Sequence, residues 1–287
     1  MGNHFPVMKE EAIEYLHIKK GGIYIDATCG YGGHSKYILE TDNTIVLYGL
    51  DKDEDAIRSV SQTLAGFKNF KAIHSGYEEM DKVLEEEGIG QVDGILMDLG
   101  FSTNQIKDSE KGFSFQIEGP LDMRYDWRNN LTAREIINQW HKREIIWVFE
   151  TYGEIKKAHK IVDAIVERRK KKKFETTLEL ADFITKYRKR TGKIHPATKF
   201  FMALRIAVNN ETEVLKEGLR KAVPLLKTNG RIAVISFHSI EDRIVKHFFR
   251  DNPHLVVLTK KPVLADREEI AVNQESRSAK MRVCKKI

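Results

Sequence analysis

Residues 26–34 read Asp-Ala-Thr-Cys-Gly-Tyr-Gly-Gly-His, and the glycines Gly30, Gly32 and Gly33 make this the first stretch of the chain that could do chemistry. Glycine tolerates positive φ and lets the backbone come close to a ligand. Asp26 opens the stretch, Asp51 closes the apolar run 44–50, and Asp98 closes the run 92–97. Tyr77 stands just beyond a further run, 70–74. The spacing separates two cofactor chemistries. A dinucleotide fingerprint starting at Gly30 requires glycine at position 35, where the chain carries Ser35. Read as D-x-x-x-G-x-G, the stretch fits a loop for S-adenosylmethionine (SAM). Asp51 is then placed to accept hydrogen bonds from both ribose hydroxyls, Tyr77 to pack on the adenine, and Asp98 to stand beside the methyl donor. A glycine-rich turn that only serves a tight connection accounts for the glycines but not for the ordered acids.

Other chemistries lack their residues. Cys29 follows Thr28 and Cys284 follows Val283, so neither sits in the Pro-Cys context of a carbon-5 cytosine methylase nucleophile. Two distant thiols make neither a disulfide framework nor a metal site, so no metal is expected. Asp98-Leu99-Gly100-Phe101 is not the D/N-P-P-Y/F of many DNA amino-methylases. His238-Ser239 evokes a hydrolase, but GxSxG is missing. That segment reads as a loop and helix start near the target base, with Glu241 and Asp242 favoured by the helix dipole.

The elements that must position these residues follow from the pattern. Near-continuous apolar strands at 22–26, 44–50, 70–74 and 92–97, with helices at 35–40 and 54–64, indicate a parallel sheet buried on both faces. The next convincing strand is 230–237. A crossover needs only a dozen or more residues, so an inserted subdomain separates the fourth and fifth strands. It reads as helical: Thr132 with Glu135 forms a capping box, further helices run over 154–169, from 177 and from Pro196, and the helix 211–223 leads back to the sheet. Two tail strands are expected at 255–260 and 281–285. The expected fold is α/β, a Rossmann-like doubly wound sheet over 1–105 and 209–287, with an all-helical insertion at 106–208 for substrate recognition.

Lys and Arg total 48 against 42 Asp and Glu, a net charge of +6 that suits a polyanionic partner without requiring one. No apolar run of membrane-spanning length and no signal-peptide pattern is visible, so a cytoplasmic protein without membrane association is expected. The sequence leaves a homodimer open.

Longer motifs carry a family resemblance. They are 4–8 (HFPVM), 26–35 (DATCGYGGHS), 98–105 (DLGFSTNQ), 111–124 (KGFSFQIEGPLDMR), 195–209 (HPATKFFMALRIAVN), 236–246 (SFHSIEDRIVK) and 276–282 (SRSAKMR). Together they resemble the RsmH (MraW) methyltransferases nearly end to end. The resemblance implies a class I SAM methyltransferase fold and N4 methylation of a decoding-centre cytidine, position 1402 of 16S rRNA in the small ribosomal subunit. It also implies cofactor contacts at Gly32, Gly33, His34, Asp51, Tyr77, Asp98 and Gln105. Departures are Thr103 for a serine, Lys111 for an arginine, Met202 for a glutamine, and Tyr77 where phenylalanine is common. Lys111 and Met202 fall at positions open to RNA contact, which leaves room for a paralogue with another target.

The expected chemistry is an in-line displacement in which proximity and alignment supply roughly 7–11 kcal/mol. Asp98 is the first candidate to receive the N4 proton, with positioning of the methionine amino group as its alternative role. Phe101, Phe113 or Phe115 could stack on the base, at about 1–3 kcal/mol each, or pack in the core instead. Asp122-Met123-Arg124 reads as a salt-bridged brace or an RNA contact, and the basic run 168–173 as a phosphate-binding or merely solvated face.

Overall fold

The structure, a computed structural model, describes residues 6–100, 103–188 and 195–287; the side chains of Thr103 and Asn104 lie outside that description. The chain divides into two compact units, 1–100 with 212–287, and 101–211. The sequence reading put these breaks at 105/106 and 208/209. Asn209 binds the Met123 carbonyl at 2.7 Å and the Tyr125 amide at 2.9 Å, and Glu211 pairs with Arg205 at 2.8 Å, which places them in the second unit.

The first unit holds a seven-stranded sheet of β1 (Ile23–Asp26), β2 (Val46–Asp51), β3 (Phe70–His74), β4 (Val92–Asp98), β5 (Leu226–Ser236), β6 (Leu255–Val257) and β7 (Lys280–Lys286). Their order is β3-β2-β1-β4-β5-β7-β6, with β7 the antiparallel member. The helices are α1 (Lys9–Leu16), α2 (Gly33–Thr41), α3 (Glu54–Thr63) and α4 (Met80–Glu86), followed after the second unit by α11 (Glu211–Leu225), α12 (Ser239–Asp251) and α13 (Arg267–Val272). Side chains alternate across the strands. Tyr24, Leu47, Leu96, Ala233 and Ile235 face α1, α2 and α3, while Ile25, Ile95, Met97, Ile232 and Val234 face α4, α11 and α12. The sheet is therefore covered on both sides, as its unbroken apolar strands require. Strand order reverses between β1 and β4, and at such a switch point the carboxyl ends of the strands open onto a ligand crevice.

The second unit is helical: α5 (Thr103–Lys107), α6 (Ala133–Gln139), α7 (Lys142–Thr151), α8 (His159–Lys171), α9 (Thr177–Tyr187) and α10 (Thr198–Val208). The Thr132 capping box forms, Glu135 accepting from the Thr132 amide at 2.8 Å. Ile137, Ile145, Phe149, Ile165, Leu180 and Leu204 are fully buried in its own core. The helix read over 154–169 starts only at His159, because Glu154 and Lys157 adopt left-handed φ of 48° and 57°. Five helices escaped the sequence reading, α1, α4, α5, α7 and α13. Each is ten residues or fewer, too short for a helical period to stand out.

Candidate active site at the carboxyl ends of β1, β2 and β4

Asp26 ends β1 with its side chain wholly buried, accepting from Ser35 Oγ at 2.6 Å and from the Thr28 amide at 3.4 Å. Burial pushes its carboxyl up to about 6, against the lowering effect of the Ser35 and Thr28 bonds. These two bonds tie the first residue of the glycine turn to the first turn of α2. Gly32 caps α2 with φ of 90°, and a Cβ there would stand 2.6 Å from Val60 Cγ2, so both dihedral and space require glycine. The turn docks on β2 through the Cys29 amide, which donates to the Leu50 carbonyl at 2.9 Å. Cys29 is buried and its thiol is raised by that burial, which suits a packing residue rather than a nucleophile.

Asp51 ends β2 and faces the same turn. Its Oδ2 accepts from the Gly30 amide and its Oδ1 from the Asp53 amide, both at 2.9 Å. Each carboxylate oxygen has a second lone pair, so the group can still accept from a neighbouring diol. Tyr77 opens a short turn after β3 and leans on α11, where a Cβ at Gly218 would lie 2.4 Å from its ring.

Asp98 ends β4 beside the turn. Its amide donates to Thr28 Oγ1 at 2.6 Å, and the imidazole Nδ1 of His34 lies 3.5 Å from its Oδ2. Its Oδ1 is buried and has no hydrogen-bond partner among the described residues. A buried oxygen left unpaired costs about 1–3 kcal/mol, more for a charged group, so it points to a donor that arrives from outside the protein. Although 23% of the side chain is still exposed, the carboxyl is raised well above the usual carboxylate range. Burial is the main cause, followed by the like charges of Asp26, Glu241 and Glu275. Glu241 is held by the capping box of α12, accepting from the amides of Phe237 at 2.9 Å and His238 at 3.3 Å. His238 is thus the cap of α12.

The first unit therefore gathers Gly32, Gly33, His34, Asp51 and Asp98 around the turn, with Tyr77 one strand further along the edge. Gln105 is buried on α5 in the second unit. Thr28, Ser35 and Glu241 brace the site, a role the sequence reading did not give them. The signal for the first two lay in the DATCGYGGHS stretch itself, while nothing local in sequence connects Glu241 with Asp98.

Several readings for the second unit change. Phe113 is 7% exposed in the helical core, and Phe115 stacks on His195 at 4.7 Å with Phe201 edge-on at 5.6 Å, so both rings are occupied internally. Phe101 lies outside the described residues, as do His4 and Phe5. Lys111 is 2% exposed, a buried cation rather than a surface phosphate contact. Asp122 and Arg124 form a two-pronged ion pair at 2.7 and 2.8 Å, and Arg124 also donates to the carbonyls of Trp127 and Asn129. They close a loop within the unit. In the basic run, Arg168 pairs with Glu179 and lies over the Phe174 ring at 3.8 Å. Arg169 donates to the Ile137 and Trp140 carbonyls, both at 2.7 Å. Those two arginines are internal braces, while Lys171 and Lys173 are exposed.

Comparison with known proteins agrees with this arrangement. A family model described as the MraW methylase family matches residues 1–287. A protein of Sulfurihydrogenibium named ribosomal RNA small subunit methyltransferase H is 47% identical, with 100% of both chains covered. One of the same name from Carboxydothermus hydrogenoformans is 45% identical, covering 99% of this chain and 98% of that one. Among solved structures, a proposed rRNA methylase from Clostridium thermocellum superposes with a TM-score of 0.50 at 14% identity, covering 99% of this chain and 100% of that one. That last likeness speaks for the fold alone: the doubly wound sheet is that of the class I SAM methyltransferases.

Proposed function

Because the chain belongs to the MraW methylase family, we propose that it transfers the methyl group of SAM to the exocyclic N4 of a decoding-centre cytidine in small-subunit rRNA. The observation that carries this reading is the buried, unpaired Asp98 Oδ1 at the end of β4, next to a glycine turn faced by the Asp51 carboxylate. The names of the relatives supply the substrate class, and N4 is the part of the reading that rests on the motif resemblance.

The residues present fit SAM. Asp51 offers acceptors for a ribose diol, and Gly30, where a Cβ would meet nothing nearer than Asp51 Oδ2 at 4.0 Å, leaves room for close backbone approach. SAM, when bound, supplies an electrophilic methyl group on a sulfonium sulfur. The chain's own part is alignment and proton handling. Asp51 and the 26–34 turn hold the donor, with Tyr77 set to pack against its adenine. The N4 lone pair of cytosine is delocalised into the ring, so an acceptor that takes an N4 hydrogen raises its nucleophilicity. Asp98 Oδ1 fills that role, and its raised affinity for a proton makes it a better base than an ordinary carboxylate. The helical unit serves substrate recognition, with its exposed Lys171 and Lys173 among the phosphate contacts. The target base must leave its stack to reach the end of β4.

Mass mapping of methylated nucleosides in rRNA from cells with and without the gene tests the reading. One N4-methylated cytidine of small-subunit rRNA should disappear with the gene; identical rRNA from both would refute the assignment.

A further inference from the structure

Among the described residues, three buried polar side-chain atoms lack a hydrogen-bond partner: Glu78 Oε2, Asp98 Oδ1 and His238 Nε2. All three belong to the first unit and end or follow a strand of the sheet, Glu78 after β3, Asp98 on β4 and His238 after β5. Asp98 is already placed as the proton acceptor, and His238 Nε2 lies 3.1 Å from Glu241 Oε1. Glu78 Oε2 plays no part in proton handling. A buried acceptor left unpaired is costly, and folded chains seldom keep one without a reason.

The position of Glu78 narrows what would pair with it. β2 and β3 run parallel, with Asp51 opposite His74. The Ser75 amide donates to the Asp51 carbonyl at 3.0 Å, and His74 Nε2 lies 2.9 Å from the Lys52 carbonyl. The turn after β3 is thereby tied to the end of β2. Lys52 Nζ pairs with Glu78 Oε1. The pair runs over Gly76, where a Cβ would collide with both Lys52 Cε and Glu78 Oε2. Each member of the pair is the direct chain neighbour of a residue set to hold the donor: Lys52 of Asp51, for the ribose, and Glu78 of Tyr77, for the adenine. Lys52 thus fixes one carboxylate oxygen and leaves the other without a donor.

We propose that Glu78 reads the adenine of SAM, its Oε2 accepting a hydrogen bond from the exocyclic 6-amino group. That amino group is the only hydrogen-bond donor on the adenine ring once N9 carries the ribose. It is therefore the one group of the base that a carboxylate binds. Lys52 is a positioning residue that holds Oε1. The aromatic face of Tyr77 suits any purine alike, whereas Glu78 selects adenine over purines without an amino group at carbon 6. The proposal rests on the reading of the crevice as a SAM site and is independent of the rRNA target.

Calorimetry on the full-length protein tests it with two probes, S-adenosylhomocysteine and the analogue whose 6-amino group is replaced by hydrogen. Wild type should bind the first more tightly by about 10- to 100-fold, a ratio that needs no variant. In Glu78→Ala the ratio should fall to within about threefold, chiefly through weaker binding of S-adenosylhomocysteine. Glu78→Gln, which keeps an acceptor oxygen, should retain an intermediate ratio. Circular dichroism establishes that each variant is folded before its ratio is read. Equal binding of the two probes by wild type would overturn the proposal. So would a wild-type ratio in Glu78→Ala with both affinities lowered alike, which would leave Glu78 as a brace for Lys52. A wild-type protein that binds neither probe would overturn it together with the SAM site, whereas failure to methylate rRNA would strike the target assignment alone.

Discussion

Two pairs of acids, one pair in each unit, sit in opposite electrostatic settings. In the sheet unit, Asp26 and Asp98 are carboxyls held above their ordinary range, because burial and neighbouring acids are not offset by any cation. In the helical unit, burial would raise Glu179 as well, but the Glu175 amide, Lys172 and Arg168 outweigh it and bring the group down to about 2. Asp122 is likewise matched by the two-pronged contact with Arg124. Paired charges fasten loops and helix ends. Unpaired, raised carboxyls cost stability and are kept where they can exchange protons or meet a ligand. The contrast sets the raised carboxyls beside the glycine turn apart from the ion-paired acids Glu179 and Asp122, which fasten loops and helix ends of their own unit.

The sharpest way to break this contrast is Asp98→Ala. Methyl transfer should fall by about 10²–10⁴-fold, while thermal unfolding at pH 8 shows no loss of stability, since a poorly solvated carboxyl has been removed. A large stability loss with transfer intact would make Asp98 scaffold. The next effect is on pH dependence. The folded-state pKa of Asp26 is raised from 3.8 to about 6, so its contribution to stability is fully present below 3.8 and lost as pH rises through 6. Wild type should lose about 2 kcal/mol of stability relative to Asp26→Asn between pH 4 and pH 7, as read by urea unfolding at a series of pH values.

Gly32→Ala comes third. The left-handed φ and the clash with Val60 should together cost about 1–3 kcal/mol, and calorimetry should register weakened donor binding. The smallest effect is the mirror image of the second. Glu179 is lowered from 4.5 to about 2, so its contribution is present above 4.5 and lost as pH falls through 2. Its side chain is 20% exposed, which limits the gain to about 1 kcal/mol. Glu179→Gln should lose that much stability at pH 7 by urea unfolding, with donor affinity unchanged.

Much of the sheet was legible because a buried parallel strand needs a near-continuous apolar run, which β1, β2, β4 and the second half of β5 carry, while β3 has only alternating apolar residues. The excess chain between β4 and β5 announced an insertion by length alone. Within the site, the glycines and the terminal acids of β1, β2 and β4 were readable because fold geometry sends strand ends to one crevice. The contacts that tune them were not. His34 meets Asp98 across 64 positions of sequence, and Glu241 reaches it electrostatically from a helix beyond the insertion. No spacing rule links such pairs. The phenylalanines stayed open between two readings for a related reason. An aromatic in a conserved-looking stretch reads equally as a stacking platform or as core, and only packing showed that Phe113 and Phe115 are already covered.

The central claim is that Asp98, beside the 26–34 turn, receives the proton of an amino nucleophile in small-subunit rRNA. Purified small subunits from cells lacking the gene, incubated with methyl-labelled SAM and either wild-type or Asp98→Asn protein, test it most directly. Wild type should place label on N4 of a single cytidine, and Asp98→Asn should do so at least about 10²-fold more slowly. Equal rates from the two proteins, or wild-type label on any atom other than a cytidine N4, would contradict the account.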